Sequence, residues 1–242
     1  MQTGLLNFQN AKTIKGEKRN VKTGIIYFAP NTIASNVNLC PSATAGCIKA
    51  CLYTSGRGRF TVIQEARIKK TKAYLKDKAG FIAQLEKEIT SREKSSKKNG
   101  FQLAIRFNGT SDLSVETWGL MQKFPNVKFY DYTKSVIRMQ KFLNNELPSN
   151  YQLTFSLSET NEKHALNFLA QGGNVAVVFR KNKKDAYPAT HWGFPIISGD
   201  DDDLRFLDPK GVIVGLRMKG KASKDTLGFV QTFEPIQQKL TA

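Results

Sequence analysis

Short apolar runs alternate along the chain with segments in which apolar residues recur three or four positions apart. The apolar runs predict six buried strands, because they are rich in β-branched and aromatic residues and end in polar turns. The predicted strands are residues 24–30, 101–107, 127–132, 151–157, 174–179 and 212–216. The helical spacing predicts helices over residues 61–92, 113–124, 135–143 and 162–170, with Gly80 dividing the first and Ser114 capping the second.

Strands and helices that alternate through short loops predict an α/β fold with a parallel sheet and right-handed crossovers. Six such strands favour a partial (β/α)6 barrel over an open doubly wound sheet. The 242 residues and 40% hydrophobic content suit a single domain. Residues 1–20 are polar and basic and predict a flexible lead-in, and residues 182–208 form an irregular insertion before the last strand.

In parallel α/β folds, functional residues collect where strands end and loops begin. This rule selects six segments of the chain. They are the cysteine loop after the first strand, residues 108–112, 131–134 and 156–159 after the next three, Arg180 after the fifth and residues 217–219 after the sixth.

The charge of the chain indicates a polyanionic partner. Thirty-seven Lys and Arg residues oppose twenty Asp and Glu, which gives a formal net charge of +17. Nucleic acid would be attracted without sequence specificity, since no groove-reading motif accompanies the charge; a merely solvated surface is the alternative. Part of the excess, at Lys94, Lys97 and Lys98, falls in a predicted loop.

The chain contains no run of about 18 apolar residues and no apolar stretch near its start that resembles a signal peptide. We therefore expect a cytoplasmic protein that does not enter a membrane. In a reducing compartment, clustered cysteines are more often metal ligands than disulfide partners.

All three cysteines lie within twelve residues, as Cys40-x6-Cys47-x3-Cys51. Three thiolates on one loop leave one position of a tetrahedral metal, or one iron of a four-iron cluster, open. The spacing favours a [4Fe-4S] cluster, with zinc and incidental buried thiols as alternatives. Arg57 and Arg59 are candidates to offset the negative charge of a thiolate-bound cluster, unless they belong to a solvated loop.

The first strand, the three-cysteine loop and the aromatic Tyr53 resemble the partial barrel of radical S-adenosylmethionine (SAM) enzymes. That superfamily usually spaces its cysteines CxxxCxxC, so the likeness is to the architecture more than to the motif. Residues 39–58, 106–112 and 199–222 also resemble bacteriophage and plasmid proteins of the gene-product-88 type, over Thr23 to Val230. This second resemblance implies the fold and the cluster but no substrate.

The resemblance to radical SAM enzymes implies that the amino and carboxylate groups of the methionine part of SAM chelate the open iron. It places the polar turn Asn108, Thr110, Ser111 and Asp112 at the amino group, and Ser156, Ser158 and Glu159 at the ribose. Arg217 and Lys219 are candidates to bind a carboxylate or phosphate group. The alternatives are a capping turn at Ser111 or Asp112, a helix cap at Ser158 and a surface basic pair.

Two other polar segments match no catalytic or metal-binding pattern. Asp131, Tyr132 and Lys134 offer a base, a phenol and an ammonium, but their spacing defines no catalytic set. Residues 200–203 form an acidic run without the ligand spacing of a calcium loop, which predicts a solvated turn.

Three functions remain open at this point. The first is an iron-sulfur protein that acts as a radical-SAM-like enzyme on an unidentified substrate. The second is an electron-transfer or redox-sensing protein with a redox partner. The third is a basic nucleic-acid-binding protein with a structural metal site.

Overall fold

Eight strands form one sheet in the computed structural model, which describes residues 4–233 of the chain. They are β1 (Val21–Ile25), β2 (Gln102–Arg106), β3 (Lys128–Thr133), β4 (Tyr151–Ser156), β5 (Asn174–Phe179), β6 (Thr190–His191), β7 (Phe194–Ser198) and β8 (Ile213–Arg217). Their order across the sheet is β1-β2-β3-β4-β5-β8-β7-β6. Every neighbouring pair is parallel except the antiparallel hairpin β6–β7.

The six predicted strands are confirmed as β1 to β5 and β8, in an order that follows the chain. Strand β1 begins and ends earlier than predicted, since its pairing with β2 starts at Val21. The irregular insertion differs from expectation, because its residues form β6 and β7. Strand β7 extends the sheet beyond β8 through parallel pairing of Ile196 to Ile213. The sequence of β7 is short and contains Pro195, which obscures a strand pattern.

Seven α-helices occur in the described part of the chain. They are α1 (Ala11–Glu17), α2 (Ala45–Lys49), α3 (Thr61–Lys76), α4 (Lys78–Asn99), α5 (Leu120–Lys123), α6 (Val136–Leu143) and α7 (Glu162–Ala170). The long predicted helix divides at Asp77, whose carboxylate caps α4 by accepting from the Gly80 N–H at 2.8 Å. Helix α4 continues to Asn99, so the lysines expected in a loop lie on a helix.

The helix predicted over residues 113–124 is instead a 3-10 turn, Val115–Trp118, followed by the short α5. Gly119 separates the two with a φ of 73°, a left-handed conformation that suits glycine and interrupts the helix. Ser114 precedes the 3-10 turn and makes no capping hydrogen bond with its side chain.

Residues 4–20 are packed against the rest of the protein, unlike the flexible lead-in that their polarity suggested. Leu5 and Leu6 are buried, and the Glu88 carboxylate accepts hydrogen bonds from both of their N–H groups. Asn7 pairs with Ile25 at the edge of β1. Residues 1–3 lie outside the described residues.

The two faces of the sheet differ in chemistry. Successive side chains of a strand point to opposite faces, and on one face Leu103, Phe129 and Phe155 join the main apolar core. Helices α3, α4, α6 and α7 contribute to that core. On the other face Ala104 and Tyr130 pack against Leu204 in a smaller cluster. No helix within residues 4–233 has the length and apolar character needed to cross a membrane.

Candidate functional site

A cavity of about 230 Å3 lies at the carboxyl ends of the parallel strands, beside the cysteine loop. Strands β2, β3, β4 and β8 contribute their last residues, Arg106, Thr133, Ser156 and Arg217. Nonpolar side chains from β5, β8 and the segment after them, namely Val178, Leu216 and Phe229, line the same space. The cavity therefore occupies the edge of the sheet at which functional residues were expected.

All three cysteines line this cavity as free, half-buried thiols. Backbone N–H groups approach two of the sulfurs. The Asn31 N–H donates to Cys40 Sγ at 3.4 Å, and the Tyr53 N–H donates to Cys51 Sγ at 3.5 Å. Hydrogen bonds of this kind tune the potential of thiolate-bound clusters.

Burial disfavours the thiolate forms of Cys40 and Cys51. It raises the pKa of Cys40 to about 12, although the Asn31 N–H acts in the opposite direction. Burial also raises the pKa of Cys51, against the effect of the Tyr53 N–H. Within residues 4–233, no three His, Cys, Asp or Glu side chains form a group that could hold a metal ion.

Glu159 joins the end of β4 to the cysteine loop. Its Oε1 accepts from the Gly46 N–H and its Oε2 from the Thr44 hydroxyl, both at 2.7 Å. Thr44 in turn caps α2 by accepting from the Cys47 N–H at 3.3 Å. A Cβ at Gly46 would lie 2.7 Å from Glu159 Oε2, so the glycine permits this close approach. Glu159 is thus bound to the loop that carries Cys47, with both carboxylate oxygens in use.

The polar turn after β2 lines the cavity, but its side chains bond to the protein itself. Asn108 Oδ1 accepts from the Ser111 hydroxyl at 2.8 Å and from the Leu113 N–H at 2.9 Å. The Thr110 hydroxyl donates to the Phe28 carbonyl at 2.5 Å. The structure therefore places these residues beside the cysteines and gives them the bonds of a strand-to-helix turn.

Asp112 belongs to a buried ionic network. Its Oδ1 lies 2.6 Å from Arg138 Nη1 and accepts from the Thr133 hydroxyl at 2.8 Å, while Oδ2 accepts from the Lys134 N–H. Arg138 is only 4% exposed and also pairs with Glu116 through two hydrogen bonds. These contacts use both oxygens of Asp112 and connect β3 to α6.

The remaining predicted residues divide between the cavity and the interior. The Ser156 hydroxyl lines the cavity and accepts from Lys134 Nζ at 2.8 Å. Ser158 is buried away from the cavity, and its N–H donates to Asn161, the residue that precedes α7. Arg217 lines the cavity, and its guanidinium makes no hydrogen bond or ion pair with any residue between 4 and 233.

The family model described as Gene product 88 matches residues 4–232. The chain belongs to the Gene product 88 family. The matched region contains all three cysteines and every residue that lines the cavity. No curated protein and no solved structure matches the chain.

This Gene product 88 protein also contains a buried polar group that sequence reasoning missed. Asp203 is 2% exposed, pairs with Arg106 at 2.9 Å and accepts from the Tyr130 hydroxyl at 3.2 Å. The expectation of a solvated turn is therefore wrong for Asp203. The acidic run lies over the sheet because Leu204, just after it, packs on Tyr130. Arg106 inside an otherwise apolar strand was the available signal.

Asp200, at the start of the same run, is also bonded. Lys219 Nζ and the Tyr187 hydroxyl both donate to it at 2.8 Å, and the Arg217 N–H donates at 3.0 Å. Burial acts to raise the pKa of Asp200, but these hydrogen bonds outweigh it and lower the pKa to about 2. Lys219 is therefore part of an ion pair at the edge of the cavity.

The positive charges near the cysteines come from residues other than Arg57 and Arg59, the two that the sequence suggested. Arg57 and Arg59 are exposed and do not line the cavity. Lys134 and Arg67 lie near Cys51, and their positive charges act to lower its pKa. Arg67 stacks at 5.0 Å from the ring of Tyr27 and 5.3 Å from that of Tyr53.

Proposed function

We propose that this protein is an iron-sulfur protein in which Cys40, Cys47 and Cys51 hold a [4Fe-4S] cluster. The observation that carries the proposal is that all three cysteines of the chain line one cavity at the carboxyl edge of a parallel sheet. Thiolates select soft metals, and three of them leave one iron of a cubane without a protein ligand. When bound, the cluster would supply one-electron redox chemistry.

The surroundings of the thiols support this occupant. A cluster held by three thiolates carries net negative charge, and Lys134 and Arg67 place positive charge near Cys51. The N–H groups of Asn31 and Tyr53 already point at two of the sulfurs. The residues present therefore suit the charge and the hydrogen-bonding needs of a cluster.

A single metal ion and a cluster place different demands on three thiolates. The ligands of a single ion must converge on one point, whereas the thiolates of a cubane each bind a different iron and stay farther apart. Cys40, Cys47 and Cys51 share one cavity, and zinc is the alternative occupant that metal analysis separates from a cluster.

We further propose that the sheet is a partial barrel of the radical-SAM type and that SAM is the ligand of the open iron. The strand order follows the chain from β1 to β5 and then β8, and the cysteine loop follows β1. Ser156 is the predicted SAM contact that still presents a polar group to the cavity, and Arg217 presents one at the end of β8. Asn108, Thr110, Ser111, Asp112 and Glu159 would instead shape it, since their polar atoms are bonded elsewhere.

The cluster is tested by anaerobic reconstitution with iron and sulfide. We expect about four irons and four sulfides per chain. Replacing Cys40, Cys47 or Cys51 by Ala should remove or degrade the cluster, while Ser42→Ala on the same loop should leave iron content unchanged. Stoichiometric zinc without labile sulfide in the wild-type protein would overturn the proposal.

The ligand is tested by electron paramagnetic resonance of the reduced protein with and without SAM. A shifted spectrum supports SAM at the open iron. An unchanged spectrum at saturating SAM favours an electron-transfer or redox-sensing protein that receives electrons from a redox partner.

Weak, salt-sensitive affinity for nucleic acid remains a separate prediction from the charge of +17.

A further inference from the structure

We propose that the cavity contains a subsite, centred on Arg217, for the carboxylate or phosphate group of a small-molecule substrate. This proposal deepens the proposed function and rests on it in one respect, because the cluster is taken as the neighbour that balances Lys134. It assigns the chemical class of the substrate, which neither the fold nor the cysteines indicate.

The first step is the pairing of the cations that line the cavity. Four of them do so, namely Arg106, Lys134, Arg217 and Lys219. Arg106 pairs with Asp203 at 2.9 Å, and Lys219 pairs with Asp200 at 2.8 Å. Lys134 and Arg217 form no ion pair with any carboxylate in the described part of the chain. The cavity thus has two cations without a counter-charge.

Lys134 lies on the cysteine side of this space. Its Nζ donates to Ser156 Oγ at 2.8 Å and lies 5.4 Å from the centre of the Phe229 ring. The positive charge of Lys134 acts to lower the pKa of Cys51, which places it near that thiol. A negatively charged cluster bound to Cys51 would therefore balance the charge of Lys134. Arg217 then remains as the cation without a partner.

Arg217 is suited to bind an anion. Its N–H donates to Asp200 Oδ2 at 3.0 Å, which fixes the backbone at the end of β8, while the guanidinium makes no hydrogen bond or ion pair within residues 4–233. A guanidinium offers a planar fork of donors that matches a carboxylate or a phosphate with two parallel hydrogen bonds.

The setting of Arg217 distinguishes it from a solvated surface arginine. It is half-buried and shares the cavity with Val178, Leu216 and Phe229. An apolar lining lowers the local dielectric and strengthens an ionic contact relative to the same contact in water. The cavity of about 230 Å3 is concave and partly apolar, as small-molecule sites are.

The test is calorimetric titration at constant ionic strength with two probes, inorganic phosphate and malonate, which separate phosphate from carboxylate recognition. The proteins are wild type, Arg217→Gln and the matched control Arg57→Gln, whose arginine is exposed and outside the cavity. We expect Arg217→Gln to bind the preferred probe about tenfold or more weakly. Arg57→Gln should stay within about twofold of wild type.

Equal loss in both variants would overturn the proposal, because it would assign binding to the diffuse positive charge. Wild-type affinity in Arg217→Gln, or no binding of either probe to wild type, would also overturn it. Failure of the cluster would be visible separately, as absence of iron and sulfide from the wild-type protein. Arg217→Gln should keep the wild-type iron content, since Arg217 is not an iron ligand in the proposal.

Discussion

Two sets of polar side chains lie at the same edge of the sheet and differ in what their polar atoms do. In the turn after β2, Asn108, Thr110 and Asp112 bond to neighbouring strands and loops. At the ends of β3 and β8, Lys134 and Arg217 line the same cavity without a carboxylate partner. The comparison shows that a strand-end position predicts proximity to a site, but only the bonding of each group shows whether it can bind a ligand.

The difference has a physical cause. Asn108 is buried and the residues after it in the turn are half-buried, so the backbone N–H and carbonyl groups there need partners within the protein. Asn108 and Asp112 supply them, for example to the N–H groups of Leu113 and Lys134. Lys134 and Arg217 do not meet such a demand with their side chains, which leaves their charges available.

Arg138→Met tests this comparison with the largest expected change in the free energy of unfolding. Arg138 is buried between Asp112 and Glu116, so its removal leaves two carboxylates without compensation. We expect the free energy of unfolding in urea to fall by about 3–5 kcal/mol. Iron content per folded chain should stay at the wild-type level, because the network shapes the cavity and holds no cluster ligand.

The control is Arg19→Met. Arg19 is 53% exposed in its pair with Asp202, so its loss should cost no more than about 1 kcal/mol. If Arg138→Met had wild-type stability but lost iron or anion binding, the turn after β2 would belong to the binding site, and the comparison would fail.

A smaller effect is expected from Glu159→Gln, which alters the contact between β4 and the cysteine loop. The Gly46 N–H and the Thr44 hydroxyl would lose a charged acceptor, at a cost of about 1–2 kcal/mol. Reconstituted protein should then lose iron faster to a chelator, because Thr44 caps the helix that carries Cys47.

Glu162→Gln, in the exposed first turn of α7, is the matched control and should lose iron at the wild-type rate. The contrary outcome is a Glu159→Gln protein that retains iron like wild type but shows no change in its electron paramagnetic resonance spectrum on addition of SAM. That result would place Glu159 at the bound SAM, as the resemblance to radical SAM enzymes implied.

Much of the fold could be predicted from the sequence, because six strands are buried and rich in apolar residues. Strands β4 and β5 and helix α7 follow the predicted spans closely. Strands β6 and β7 escaped prediction since they are short and depend on pairing, β7 with β8 and β6 with β7, which leaves no local pattern in the sequence. Leu5 and Leu6 escaped because two leucines in a polar segment do not indicate burial.

The site was predictable to a lesser degree. The spacing of the cysteines indicated one shared location, and all three do line one cavity. The burial of Asp203 had only an indirect signal, an arginine at the end of a largely apolar strand, because four adjacent aspartates suggest a solvated turn. The sequence also cannot show that Asp200 pairs with Lys219 and leaves Arg217 unpaired.

The smallest expected effect, and the closest test of paired against unpaired cations, comes from Asp200→Asn. The pKa of Asp200 is lowered from 3.8 to about 2, so the folded state favours the carboxylate more than the unfolded state does. Its contribution to stability is therefore fully present above about pH 4 and is lost as the pH falls through about 2. We expect wild type to exceed Asp200→Asn by about 1 kcal/mol in unfolding free energy at pH 6 and by roughly half of that at pH 3. Asp201→Asn, at an exposed neighbouring position, should match wild type at both pH values.

Because Asp200→Asn also removes the ion-pair partner of Lys219, the phosphate affinity of this variant at pH 6 should rise by about twofold to fivefold. A decrease in affinity would mean that Asp200 positions Arg217 more than it neutralises Lys219.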